Sequence, residues 1–482
     1  MKEVLSPVVD PPAARINAKA LPDPPGSRYG IVFLLAAALL IRLLFFFAGI
    51  ERGLFYPDET EYVELAKNLA LHNEFLYKDH LTSFRPPGFA FLMSVVFRLF
   101  DTTSPVPVRA MQMLFSVLTV GVIYLLGRDG WGEKVGLIAA GIFAFYPSFI
   151  GLTNMLLTEP CYIFCISLSC WAMVRHLRNP HAGWAAGSGV ALGLGTLIRD
   201  TLFYGGPVTT LFLLVHAWRD RRYHWHHIAA FAGGFVIVIA PWSIRNTLLH
   251  GQFTMISTVG GINLYLCNTH ESPMIHTGYI FIERAIQGHD GYYYDSLFPE
   301  LKGASETAKQ NLAMQKGLAY MLEYPWTTFL RSLSRLVDFW GQERLVINQV
   351  MAGYYGEVSP FVLLGVIVAV LASFSGVIVA SSFGYCFTKL RAFDIFGLVF
   401  IAYYTGMHAL VLGHPRYHLP LLPFLAIVAA RAYVARAEIR ANWRSRRSVV
   451  AMSIIGVFVI MWIIGIFFFD PDKVQMLVQW LK

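Results

Sequence analysis

Eleven apolar runs recur along this chain, at about 30–49, 105–126, 135–152, 161–177, 183–198, 202–218, 228–246, 360–384, 393–412, 415–433 and 448–469. Runs of this length match the thickness of a bilayer core. Inside hydrocarbon the backbone must satisfy its own hydrogen bonds, and consecutive spans do so as helices. The expected fold is an all-α integral membrane protein with about eleven transmembrane helices. Composition agrees: 56% of the 482 residues are hydrophobic and 14% are charged, with a mean hydropathy of +0.53. Soluble domains are roughly 25% charged. The net charge of +8 does not point to nucleic acid, because the basic residues are dispersed between apolar runs and form no single stripe. Five scattered cysteines make no disulfide framework. The 30–49 run contains Arg42 and lacks a small-residue cleavage site before Asp58, so it reads as an uncleaved first span.

Positive charge sets the threading. Lys2, Arg15, Lys19 and Arg28 precede the first run and place the N-terminus in the cytoplasm. The apolar stretch 87–100 is too short to cross and suits a helix lying in the interface. With it flat, the cytoplasmic connections become 128–134, 175–178, 219–222, 389–391 and 431–447, each carrying at least two Lys or Arg. A crossing at 87–100 would turn the Arg-rich 431–447 segment outward. The organisation expected is a disordered cytoplasmic tail (1–28) and a transmembrane module (29–250) with outer-face amphipathic helices at 59–72 and 87–100. An extracytoplasmic loop follows (251–359), helical near 304–340 and broken at Pro325, then C-terminal spans (360–470) and a short outer tail (471–482). No inverted repeat of the transporter kind is evident. The expected location is the inner (plasma) membrane.

This threading gathers acids on the outer face. Tyr56-Pro57-Asp58-Glu59-Thr60-Glu61-Tyr62 follows the first span, and Leu156-Leu157-Thr158-Glu159-Pro160 opens a later one. Acids touching hydrocarbon are costly and need a reason to be there. Helix capping is one reason: Asp58-x-x-Glu61 reads as a capping box, and Thr158 with Pro160 as a helix start. The chemical reason is catalysis. A carboxylate beside hydrocarbon is expected to have a raised pKa and to accept protons well. Asp58 and Glu159 could also share a divalent metal, although their spacing specifies none. Outer-face arginines break the charge trend: Arg85 with Lys78 and His80 just upstream, Arg245, and Arg416. Such guanidinium groups suit a phosphate, or they pair with the acids, Arg199 and Asp200 included. His224, His226 and His227 lack zinc spacing, and Gly193 to Gly195 read as helix packing.

In order along the chain, Asp58-Glu59-x-x-Tyr62, Phe84-Arg85-Pro86-Pro87, Glu159, Pro241 to Asn246, Gly260-Gly261-Ile262-Asn263-Leu264 and Pro415-Arg416-Tyr417-His418-Leu419-Pro420 make a set. It resembles the C-type glycosyltransferases, and more closely their protein-mannosyltransferase and aminoarabinose-transferase branch. The resemblance runs from about Tyr29 to Arg436. It implies an inverting glycosyltransferase that uses a polyprenyl-phosphate sugar donor and a glycolipid, polysaccharide or protein acceptor in cell-envelope modification. Asp58 takes the base role and Glu159 the second acidic role. Arg85, Arg245 and Arg416 meet the donor phosphate, while Glu59, Tyr62, Lys78, His80, Asn263 and Tyr417 contact substrate. The aminoarabinose transferases carry an acid-lysine-proline run where this chain has Phe84-Arg85-Pro86-Pro87, so neither that sugar nor a lipid A acceptor is implied. No cofactor is implied with certainty; a divalent cation at Asp58 and Glu159 is the candidate. A lipid-linked sugar flippase is the rival, which should instead place polar residues along a path through the bilayer.

Overall fold

The computed structural model describes residues 27–78, 80–220, 222–275, 298, 301 and 303–469. The expected 471–482 tail, nearly all of the 1–28 tail and residues 276–297 of the 251–359 segment lie outside them.

The chain enters as α1 (Ser27–Gly49), an apolar span. Then come α2 (Pro57–His72), a two-residue hairpin of β1 (Leu76–Tyr77) and β2 (His80–Leu81), and α3 (Pro87–Leu99). These two helices stand where amphipathic helices are expected, at 59–72 and 87–100. Prolines open both, where a missing N–H costs nothing. Arg98 near the end of α3 donates to the Leu69 and Ala70 carbonyls, capping the C-terminus of α2 and pinning the two helices together. α4 (Pro105–Trp131) spans, and α5 (Glu133–Phe145) returns. At Tyr146-Pro147 the chain bends by 56° into α6 (Pro147–Gly151). Arg42 of α1 is fully buried there and donates to the carbonyls of Phe143 and Ala144 that the break exposes. α7 (Glu159–Arg178), α8 (Ala182–Ile198), α9 (Gly205–Arg219) and α10 (Trp225–His250) follow.

The next segment holds α11 (Val259–Cys267), α12 (Glu306–Glu323), α13 (Pro325–Phe339) and α14 (Leu345–Met351); the break expected at Pro325 separates α12 from α13. α15 (Pro360–Phe387), α16 (Ala392–Leu410), a 3₁₀ segment Pro415–Leu421, α17 (Leu422–Val434), α18 (Arg436–Ala441) and α19 (Arg446–Ile464) complete the bundle.

All eleven expected spans are helical, but the count of eleven does not follow from length and apolarity. Among the described residues eight helices meet both requirements, or nine if the bent pair is one span. α8 and α9, at 17 and 15 residues, fall short. Close packing explains how α8 persists. A Cβ on Gly189 of α8 would sit 2.1 Å from the Phe231 carbonyl of α10, so only glycine admits this approach. The connections rich in Lys and Arg meet at one end of the bundle, where Arg175 pairs with Asp129 at 3.1 Å and Tyr223 donates to the Leu177 carbonyl at 2.6 Å. The opposite end carries α2, α3 and the described residues of the 251–359 segment.

Candidate active site

The site begins with how α2 starts. Tyr56 is extended and Pro57 is the first helical residue. Glu59, at the third helical position, turns back and accepts from the backbone N–H groups of Phe55 and Tyr56 at 2.5 and 2.6 Å. Its other oxygen accepts from Leu156 N–H at 2.7 Å, so one carboxylate ties α2 to the segment before α7. The capping box read from Asp58 and Glu61 is therefore corrected: Glu59 is the capping acid, fully buried. Asp58, one position earlier, projects from the first turn with its carboxylate uncommitted to the backbone.

Guanidinium groups take it up. Arg85 Nη2 lies 2.9 Å from Asp58 Oδ1 and 2.6 Å from Glu61 Oε2. Arg416 Nη2 lies 3.4 Å from Asp58 Oδ2, while its Nε is 3.0 Å from Glu159 Oε1. Arg199 Nη1 reaches the same Glu159 oxygen at 2.9 Å. Charges thus alternate along one row: Glu61, Arg85, Asp58, Arg416, Glu159, Arg199. Tyr417 lies beneath both Arg199 and Arg416, with ring centroids 4.6 and 5.4 Å from the guanidinium carbons, and Tyr62 lies 5.6 Å from that of Arg85. Asp58 and Arg85 side chains are 22% and 21% exposed, whereas Glu159 is 1% exposed. Of the two predicted acids, only Asp58 opens outward.

Electrostatics corrects a second expectation. Burial pushes the Asp58 carboxyl upward, but Arg85, Arg416 and Arg199 outweigh it and hold its pKa below the usual carboxylate value. The neighbouring Glu61 goes the other way: burial raises it, Arg85 opposes, and the Asp58 charge adds to the rise. Burial lowers Arg85 and Arg199, yet Glu61 and Asp58 for the first and Glu159 for the second raise both above the ordinary arginine value. Three acids face three arginines, so the row is neutral. A divalent cation shared by Asp58 and Glu159 would have to displace Arg416. Among the described residues no group of three or more His, Cys, Asp or Glu is arranged to hold a metal ion.

Arg245 belongs to a neighbouring cluster. It donates to the Thr82 carbonyl at 2.7 Å and Ser83 Oγ at 3.0 Å, and its guanidinium carbon lies 4.6 Å from the Trp242 ring centroid. Lys78 has a positive φ of 48°, and its backbone N–H donates to Glu64. His80 is exposed in β2, and Asn263 is half-buried on α11. Arg199 is not among the expected site residues, and its expected partner is the adjacent Asp200. Asp200 instead accepts from Ser257, and Arg199 turns to Glu159. The available signal was its place: an arginine ending an apolar helix on the face that positive charge avoids.

Between α9 and α10 runs an apolar cavity of about 770 Å³, walled by Leu211, Leu214, Phe235, Val236 and Ile239. One end holds Phe203, Ser243 and Thr247. Phe203 is four residues beyond Arg199, and Thr247 two beyond Arg245, so this end opens on the same face as the charged row.

The family model described as dolichyl-phosphate-mannose-protein mannosyltransferase matches residues 84–244. That stretch contains Arg85, Glu159 and Arg199; Asp58 and Arg416 lie outside it. No curated protein matches the sequence. The chain is similar in structure to the archaeal oligosaccharyltransferase AglB of Archaeoglobus fulgidus, solved with an inhibitory peptide and a dolichol-phosphate. The TM-score is 0.51 at 16% identity, over 95% of this chain and 56% of that one. The chain thus spans about half the length of that protein. An Archaeoglobus fulgidus oligosaccharyltransferase in the apo form gives 0.49 at 16% identity, over 94% and 56% of the two chains. ArnT from Cupriavidus metallidurans, bound to undecaprenyl phosphate, gives 0.41 at 14% identity, over 86% and 80%. The family match and the fold shared with AglB support the resemblance to C-type membrane glycosyltransferases.

Proposed function

We propose that this protein is an inverting glycosyltransferase that moves a sugar from a polyprenyl-phosphate donor to an acceptor hydroxyl at the extracytoplasmic face of the inner membrane. One observation carries the reading: the row of alternating acids and arginines opens at Asp58, on the face where the apolar cavity ends. The cavity takes the donor's isoprenoid chain between α9 and α10. The dolichol-phosphate bound by the oligosaccharyltransferase of the same fold is a ligand of this class. The extracytoplasmic assignment is supported by the Lys and Arg of the connections at the far end of the bundle.

In the reaction, the acceptor oxygen attacks the anomeric carbon while the bond from that carbon to the phosphate oxygen breaks. Asp58 accepts the hydroxyl proton, and the phosphate leaves with the bonding electron pair. Arg85 and Arg416 are placed to stabilise that charge before it develops, which is where such groups act most strongly. The donor phosphate competes with Asp58 for the same two arginines. As they turn toward phosphate, the carboxylate loses the charges that depress its pKa and becomes a stronger base. Base strength thus appears when the donor is seated. Glu159 is too buried to meet an acceptor; it anchors Arg416 and Arg199. The guanidinium of Arg416 supplies the positive charge between the two acids. The acceptor is a glycolipid, polysaccharide or protein hydroxyl.

The test is to incubate purified protein with a labelled polyprenyl-phosphate sugar and membrane extract, then follow polyprenyl phosphate release and the anomeric configuration of the product by NMR. Release with inversion is expected. Retention of configuration, or transport of intact donor without release, would overturn the reading.

A further inference from the structure

Helix α13 is built inside-out. Its buried face carries Thr328, Arg331, Arg335 and Asp338, while Trp326, Phe329, Leu330 and Leu333 are exposed. At 100° per residue these two sets lie on opposite sides of one helix. Solvent-facing helices show the reverse order. The buried arginines have protein partners. Arg335 donates to the carbonyls of Ala409 and Leu410 at 3.3 and 2.7 Å, and Arg331 donates to that of Thr269 at 2.9 Å. The outward face holds Trp326 at 68% and Phe329 at 49% exposure, with their rings stacked 5.4 Å apart. Leu318 and Leu322 extend the stripe onto α12.

The position of α13 identifies what covers this face. Ala409 and Leu410 form the last turn of the span α16, so Arg335 holds α13 level with the end of that span. Trp462, in the last turn of α19, donates to the Trp340 carbonyl just past α13 at 2.9 Å. The exposed stripe therefore continues the lipid-facing surface of two spans. The boundary is where tryptophan and aromatic side chains concentrate in membrane proteins. We propose that α13, with the end of α12, is seated in the outer-face interface of the bilayer and takes acyl chains and headgroups as its partner. α12 and α13 are thus staked to the membrane, and the stake lies close to the active site: Phe339, the last residue of α13, accepts from His418, two residues from Arg416.

Spin labels on single cysteines test this in the full chain reconstituted in nanodiscs of phosphatidylethanolamine and phosphatidylglycerol. The sites are W326C, F329C and L333C, with E438C in the basic 431–447 connection as a water-facing reference and V457C as a lipid-facing one. Power saturation compares collision with oxygen, which partitions into lipid, against a water-soluble nickel chelate. The expected result is high oxygen and low nickel accessibility at 326, 329 and 333, as at 457. Nickel accessibility equal to that at 438 would place the face in water. Protection from both reagents would mean that protein covers it, either a second copy or another segment. Either result overturns the proposal.

Discussion

Arg416 touches two acids of unequal exposure, and the difference predicts different phenotypes. Glu159 is buried between Arg416 and Arg199. Glu159→Gln leaves both guanidinium groups short of a counter-charge, and breaking a buried pair this way costs about 3–5 kcal/mol. Its thermal unfolding should fall accordingly, and in the folded fraction the KM for donor should rise more than kcat drops. A loss confined to kcat would mean that Glu159 acts on the reacting atoms. The pH profile separates the two states of Asp58. In the free protein its pKa is depressed, so its electrostatic contribution to stability is complete above the unfolded carboxylate value of about 4 and is lost only as pH falls through the folded value. Its acid limb in kcat/KM should therefore lie at low pH. If donor phosphate draws the arginines away, the limb in kcat lies at higher pH. Coincident limbs would contradict the competition between phosphate and Asp58.

At the scale of elements, the start of α2 decides where Asp58 points. Glu59→Ala removes the acceptor for three backbone N–H groups at once and should destabilise the fold by at least about 2–3 kcal/mol, since bonds to charged acceptors contribute more than neutral ones. Differential scanning of the purified variant measures this; an unchanged unfolding temperature would mean that the cap is dispensable. The sequence made the position of α2 legible through Pro57 and its acids, but not which acid caps it. Asp58, Glu59 and Glu61 all fit a first turn, and only the Leu156 N–H arriving from 97 residues away settles it. The partner of Arg199 was hidden for the same reason: Glu159 is 40 residues distant, while Asp200 is adjacent. Local patterns name the helix. Long-range contacts assign the side chains.

Across the whole molecule, apolar periodicity and basic connections made the helical segments and their grouping at two ends legible. The span count was not, because α8 and α9 are shorter than a bilayer core. Nor was the cavity beside them, since a groove between helices leaves no mark on either helix alone. Leu211→Trp with Leu214→Trp should fill it and raise the KM for a long-chain donor at least tenfold, with little change for a short-chain analogue. Equal effects on both donors would move the isoprenoid elsewhere.

The central claim is that the carboxylate at the open end of this charged row drives sugar transfer. It is tested most directly by the rate of polyprenyl phosphate release from a labelled polyprenyl-phosphate sugar by purified wild-type and Asp58→Asn proteins. A general base contributes about 10²–10⁴-fold, so the variant should slow by that factor. It should remain folded, because Arg85 keeps Glu61 and Arg416 keeps Glu159. Release by Asp58→Asn at the wild-type rate would contradict the account.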